Sequence, residues 1–250
     1  MARIISVANQ KGGVGKTTTA LNLASALHKE GRRVLLVDLD PQAALTTSLQ
    51  PPSIKTGKTV YELLLSQCSA KQTIIRLRSA PDLIPASIDL AAAELELAAE
   101  MGRERVLADA LATVADDYDF IIIDCPPSLG LLTVNAFVAA GEVLVPLQCE
   151  YLAMRALNLL LRTIDRVRTR LNRKLELAGI LVTMYNGRTI HSREVLEEVR
   201  KTFGEKVFPV VVGSSVRFKE APASGLSILD YARTHDGARA YRELAKEVLR

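Results

Sequence analysis

Tryptophan is absent from this chain, and aromatic residues make up only 4% of it. A surface that binds single-stranded nucleic acid by stacking bases on aromatic rings is therefore not expected. Cysteine is scarce as well. Cys68, Cys125 and Cys149 stand far apart with no metal-ligand spacing, which reads as free thiols in a reducing compartment. No uninterrupted apolar run approaches the roughly 20 residues that a membrane-spanning helix needs, and no charged-then-apolar leader precedes the first apolar run. A soluble, cytoplasmic protein is the expectation. The excess of positive charge is slight, +4 with a pI of about 9.0, and leans weakly toward an anionic partner.

What is present is a regular alternation. The 250 residues are 48% hydrophobic, enough to bury a sizeable core. Apolar runs rich in β-branched residues at 3–8, 34–37, 120–123, 143–147, 177–183 and 207–212 read as strands, with a short one at 83–85. Helical periodicity marks 91–99, 106–114, 153–171, 194–203 and 237–249, and a first helix that stops at Gly31. Continuous apolar strands separated by helices predict an α/β fold: a mostly parallel, twisted sheet with helices on both faces. No repeat, low-complexity tract or linker-like shift in composition interrupts residues 1–250, so one domain is expected. The least regular stretch, 50–58, reads as a loop.

Between the first strand and first helix lies Val7-Ala8-Asn9-Gln10-Lys11-Gly12-Gly13-Val14-Gly15-Lys16-Thr17-Thr18. The phosphate-cradling pattern G-x-x-x-x-G-K-[ST] is satisfied at Gly15, Lys16 and Thr17, but its first glycine is replaced by Gln10 and followed by a second lysine, Lys11. Strand, glycine loop and helix together aim backbone N–H groups and a helix N-terminus at a polyphosphate. Gly12, Gly13 and Gly15 permit backbone angles and close approaches that a side chain would obstruct. Lys16 is placed to reach the β- and γ-phosphates of ATP, and the Thr17 hydroxyl to ligate Mg²⁺. The competing reading is a glycine-rich strand-to-helix turn with no ligand.

Two acidic strand ends accompany the loop, in Val37-Asp38-Leu39-Asp40-Pro41 and Ile123-Asp124-Cys125-Pro126-Pro127. Open α/β sheets place their ligand crevice at such ends. Asp124 is the candidate to hold Mg²⁺ beside the phosphates, Asp40 to orient or activate the attacking water, and Asp38 to assist the metal shell. Each also fits an ordinary turn or capping aspartate.

Taken together, Lys11 to Thr18, Leu36 to Gln42 and Asp124-Cys125-Pro126-Pro127-Ser128 resemble the ParA/Soj partition ATPases of the deviant-Walker class. The resemblance continues through Gln148-Cys149-Glu150-Tyr151, Leu181 to Thr189, Val216-Arg217-Phe218-Lys219-Glu220-Ala221-Pro222 and Gly237 to Tyr241. It accounts for the extra lysine. In such ATPases this residue crosses a dimer interface to the nucleotide of the partner, so Lys11 would act in trans once ATP joins two copies. The resemblance further implies that Glu150 touches the neighbouring nucleotide and that Met184 lies near adenine. By the same resemblance the chain binds ATP/ADP and Mg²⁺, and its ATP-bound homodimer coats double-stranded DNA without sequence preference. Release follows hydrolysis stimulated by a ParB-type centromere-binding protein, and the protein associates with the nucleoid.

Arg188 and Arg217 match the family's DNA-contacting arginines. Arg155, Arg162, Arg166 and Arg170 are spaced to share one face of the 153–171 helix, and phosphate binding needs such a patch without base-reading motifs. A merely solvated basic face is the plainer alternative. The sequence departs from the family where Val212-Gly213-Ser214-Ser215 replaces Ile-Pro-Arg-Asn, and where Met154-Arg155-Ala156 replaces Leu-Glu-Gly. The first departure bears on both DNA and adenine recognition. The competing function is a MinD-like membrane-cycling ATPase, which needs an amphipathic C-terminal helix. The chain closes at Lys246-Glu247-Val248-Leu249-Arg250 without one, so no membrane partner is expected. A small-molecule kinase is a further alternative, with no acceptor-site signature.

Overall fold

The computed structural model describes residues 1–51, 57–150 and 153–250. The middle of the loop expected at 50–58, and the Tyr151 of the resemblance, lie outside the described residues. Seven strands form one parallel sheet: β1 (Arg3–Val7), β2 (Val34–Asp38), β3 (Asp82–Ile84), β4 (Phe120–Asp124), β5 (Glu142–Gln148), β6 (Glu176–Tyr185) and β7 (Val207–Gly213), in the order β3-β2-β4-β1-β5-β6-β7. The connections from β1 run toward β3, return at β4, and then pass to β5 on the other side of β1. That reversal is the topological switch point at which open α/β sheets hold ligands, and the glycine loop starts there.

Strand side chains alternate between two dry faces. Leu35, Val37, Ile121, Ile123, Val143, Val145, Ile180 and Val182 pack on one side. Val34, Leu36, Phe120, Ile122, Leu144 and Leu181 pack on the other. Both faces are therefore covered, which is why these strands read as unbroken apolar runs. The first face carries α5 (Leu90–Glu96), α6 (Val106–Ala112), α7 (Leu131–Ala139), α8 (Ala153–Arg170) and α9 (Ile190–Phe203). The second carries α1 (Lys16–Lys29) and α12 (Asp236–Leu249). Tyr241 of α12 is fully buried, its hydroxyl 3.1 Å from Thr19 Oγ1 of α1.

The expected strands and long helices are all present. Gly31 has φ +78°, a left-handed angle that suits glycine one residue beyond the cap of α1. The helix expected over 91–99 ends at Glu96 and tightens into a 3₁₀ turn over Leu97–Ala99. Elements that sequence periodicity missed are α2 (Ala44–Leu49), α3 (Val60–Leu64), α4 (Ala70–Thr73), α7, α10 (Arg217–Ala223) and α11 (Ile228–Tyr231). Among the described residues, no helix is long and apolar enough to cross a membrane.

Candidate nucleotide-binding site

Side-chain hydrogen bonds tie the loop after β1 to the neighbouring strands β5 and β6. Asn9 Nδ2 donates to the Pro146 carbonyl (2.7 Å), and Asn9 Oδ1 accepts from the Lys11 amide (3.0 Å). Thr183 Oγ1 at the end of β6 donates to the Val14 carbonyl (2.8 Å). Gly13 and Gly15 adopt φ +73° and +87°, angles costly for any residue with a Cβ. Gly12 has no such constraint: an added Cβ would meet Pro127 at an ordinary 3.9 Å.

A cavity of about 610 Å³ opens over this loop, within the usual size of a small-molecule site. Gly12, Gly13, Gly15, Lys16, Thr17 and Thr18 form one wall, with Asp40 and Pro127 beside them. Met184, Gly213, Ser214 and Ser215 form the far end, so the departure from the family motif lies in the cavity wall. Met184 holds φ +51°. Left-handed backbone at a non-glycine residue is strained, and such strain concentrates at ligand clamps. Phe218, Lys219 and Tyr241 also line the cavity. Sequence reasoning did not assign them to the site; their signal was the segments Val216-Arg217-Phe218-Lys219 and Gly237 to Tyr241, which pointed to a family and not to a wall.

Lys16 is buried, with Nζ donating to the Lys11 carbonyl at 3.2 Å. Burial lowers its pKa, and the nearby Asp124 and Asp40 partly offset this. Asp124 at the end of β4 is fully buried, and neither carboxylate oxygen has a hydrogen-bond partner among the described residues. The Thr17 hydroxyl faces it without a hydrogen bond of standard geometry. Burial, then the neighbouring Asp38, pushes the Asp124 pKa well above the usual carboxylate range; Thr17 and Lys16 act the other way with less effect. Asp38, by contrast, is satisfied. Its Oδ2 accepts from the Thr46 amide (2.8 Å) and hydroxyl (2.7 Å), and its Oδ1 from the Asp40 amide (3.2 Å). Its pKa is still pushed up to about 6, by burial first. Asp38 thus braces the turn that carries Asp40 rather than facing the cavity.

An orphaned buried carboxylate beside a threonine hydroxyl is an oxygen donor set suited to Mg²⁺, which uses one or two carboxylates and leaves other positions to water and phosphate. The absence of any converging trio of His, Cys, Asp or Glu among the described residues agrees with that habit. Thr17, Asp40 and Asp124 are the residues that could hold the ion.

The other candidate residues lie outside the cavity. Val14 is buried behind the loop. Lys11 turns away and forms an ion pair with Glu150 of the same chain. Arg188 is exposed three residues beyond Tyr185, and Arg217 four beyond Gly213; Tyr185 and Gly213 are register partners on β6 and β7. Both arginines therefore lie at the same end of adjacent strands. The Arg217 guanidinium donates to Glu220 at 2.8 Å, which raises its pKa. Arg155, Arg162, Arg166 and Arg170 are exposed on α8.

Residues 2–177 match the family described as "AAA domain". The chain is 46% identical to the chromosome-partitioning ATPase Soj of Treponema pallidum, covering 100% of this chain and 98% of that protein. It is also 46% identical to the sporulation initiation inhibitor protein Soj of Bacillus subtilis, covering 99% and 98%. Among solved structures, a Mycobacterium smegmatis protein described as cobyrinic acid a,c-diamide synthase, with bound ADP and magnesium, is 44% identical with a TM-score of 0.88, covering 100% of this chain and 95% of that one. A glycine loop at the switch point, a buried lysine, an orphaned aspartate and near-complete coverage of the Soj proteins point the same way: the chain belongs to the Soj/ParA family of chromosome-partitioning ATPases.

Proposed function

We propose that this chain is a partition ATPase in which ATP closes two copies over DNA and hydrolysis releases them. The observation that carries the reading is the buried Lys16, which lines the phosphate-loop cavity, close to the unpartnered carboxylate of Asp124. Residues 12–18 cradle the phosphates of ATP or ADP through backbone amides and Lys16. Thr17, Asp124 and Asp40 serve Mg²⁺, which when bound neutralises phosphate charge. Asp40, fixed by the Gln42 amide on its Oδ1 at 2.9 Å, orients the attacking water. Met184 and the 213–215 turn receive the base. All of residues 1–250 act as one ATPase domain.

Lys11 leaves Glu150 when two copies meet and donates to the partner's phosphates, so the charge needed for tight closure arrives only in the dimer. Glu150 then contacts the neighbouring nucleotide. Arg188 and Arg217 hold duplex DNA by its phosphates, without sequence preference, which places the protein in the cytoplasm at the nucleoid. A ParB-type partner accelerates hydrolysis.

Co-sedimentation with duplex DNA in ATP, in ADP and without nucleotide tests the reading, with lipid vesicles as a parallel arm. DNA binding that requires ATP and ignores sequence is the expected result. Binding to vesicles alone, or DNA binding indifferent to nucleotide, would overturn it.

A further inference from the structure

The outer face of α8 carries a row of exposed arginines. Arg155, Leu159, Arg162, Arg166 and Arg170 fall within about 80° on a helical wheel and span about 22 Å of helix. Among the described residues none of these four arginines forms an ion pair, whereas Arg3, Arg33, Arg168 and Arg217 all do. The only acidic residue of α8, Asp165, is taken by Arg168. Leu159 is 45% exposed in the middle of the row. Two contiguous hollows run along this face; one is lined by Arg155, Arg162 and Gln10, the other by Arg166, Arg170 and Gln10. Leu129 and Val134 form an apolar wall of the second. A basic rim over apolar ground fits a protein segment carrying both acids and apolar side chains better than the uniformly charged flank of a duplex.

The same chain displays such a segment. Around α5, Ile88, Leu95 and Met101 are 68%, 81% and 98% exposed. Asp89, Glu96 and Glu100 are exposed among them and form no ion pair among the described residues. Ile88 and Leu95 are seven residues apart, as are Asp89 and Glu96, so an acidic and an apolar stripe run side by side. No basic residue falls between 88 and 101.

Both surfaces border α7. α5 abuts the start of α7, where Glu94 Oε1 accepts from the Leu132 amide at 3.1 Å. The second α8 hollow also borders α7, at Leu129 and Val134, and reaches Gln10 beside Lys11. A two-fold axis near α7 would carry the α5 of each copy toward the α8 of the other, the reciprocal contact that a closed dimer requires.

We infer that the acidic α5 stripe of one copy docks on the arginine row of α8 in a second copy, and that this contact sets the stability of the dimer. The inference rests on the ATP-dependent dimer proposed above and assigns it a contact outside the nucleotide site. Like-for-like charge across the two stripes would repel, so orientation is selected as well as affinity.

The test is sedimentation velocity of the full chain with a non-hydrolysable ATP analogue, across protein concentrations. Arg162→Glu/Arg166→Glu and Glu96→Lys/Glu100→Lys should each raise the dimer dissociation constant by about ten-fold or more, as close charge pairs across interfaces do. Mixing the two variants, so that reversed stripes face each other, should restore a heterodimer to within about three-fold of wild type. Binding of the labelled analogue should stay unchanged in both variants. Failure of the mixture to restore the dimer would overturn the contact. So would an arginine variant that dimerises normally but loses duplex DNA, since the row would then belong to DNA. A wild type that stays monomeric would overturn the proposed ATP-dependent dimer itself. A wild-type dimer lost in Lys11→Ala, with no charge-swap effect, would overturn only the α5–α8 contact.

Discussion

Asp38 and Asp124 are register partners on adjacent parallel strands, and both are fully buried. Only one of them is satisfied: Asp38 is hydrogen-bonded to Thr46 and the Asp40 amide, while both oxygens of Asp124 are orphaned. Burying an unpaired carboxylate next to a second one is costly. A cation held at Asp124 would offset that cost, which would tie ligand binding to stability.

Asp124→Asn should raise the thermal midpoint of the nucleotide-free protein, because no charge then has to be buried or neutralised on folding. The same variant should lose most of the further stabilisation that Mg·ADP confers on the wild type. Thermal melts of both proteins, with and without Mg·ADP, measure this. A lower midpoint with an undiminished Mg·ADP response would remove Asp124 from the metal site.

Lys16→Ala removes, among the described residues, the only buried cation that lines the cavity. Affinity for a labelled ATP analogue should fall by at least about 30-fold, the scale of a lost charge-assisted hydrogen bond. Wild-type affinity in equilibrium titration would contradict the phosphate role.

Asp40→Ala and Lys11→Ala should separate hydrolysis from closure. The first keeps the phosphate loop and should give a long-lived dimer with ATP, with turnover lowered by about 100-fold or more. The second should bind ATP yet dimerise weakly, because the charge supplied in trans is gone. Size-exclusion chromatography and phosphate release read both; a monomeric Asp40→Ala with normal turnover would contradict its assignment.

Arg188→Ala and Arg217→Ala should each weaken binding to any duplex and make the log–log salt dependence shallower by about one to two units, since a dimer loses two contacts. Titrations at several salt concentrations, with a dimer assay on the same variants, decide this. Unchanged slopes would exclude direct phosphate contact, and loss of the dimer would mean that the arginines act through assembly.

Asp119 offers a pH test away from the site. Its hydrogen bonds to the Arg33 side chain and amide hold its pKa down to about 2 in the fold, against an ordinary value of 3.8. The unfolded state thus binds more protons in this window, and the stabilisation is present in full above it and is lost as pH falls toward 2. The midpoint difference between wild type and Asp119→Asn should be small, salt-sensitive and constant from pH 5 to 7, and should shrink to a small part of that as pH falls to 2. A difference as large at pH 2 as at pH 6 would show that the charge is not its source.

The strands and the long helices were legible in the residues because each carries its own period. Phe120-Ile121-Ile122-Ile123 has to be buried on both faces wherever it sits, and α8 shows its apolar stripe without help. The phosphate loop was legible for the same local reason: Gly13 and Gly15 need backbone angles that a neighbouring strand and helix already define. Local pattern failed where burial was all-round or the element too short. Leu131 to Ala139 is buried or half-buried all round, with Thr133 and Asn135 buried among its apolar residues, and has no amphipathic period to read, and α2, α3, α4 and α11 span only four to six residues. Beyond that, the decisive relationships join distant parts of the chain. Lys11 meets Glu150 across 139 residues, Thr183 closes on Val14 across 169, and Asp124 is orphaned only because β2 and β1 enclose it on either side. Sequence determines which side chains exist and which segments favour strand or helix. The order of strands in the sheet determines which of those side chains share a dry, low-dielectric space, and only there does a carboxylate without a partner become a site.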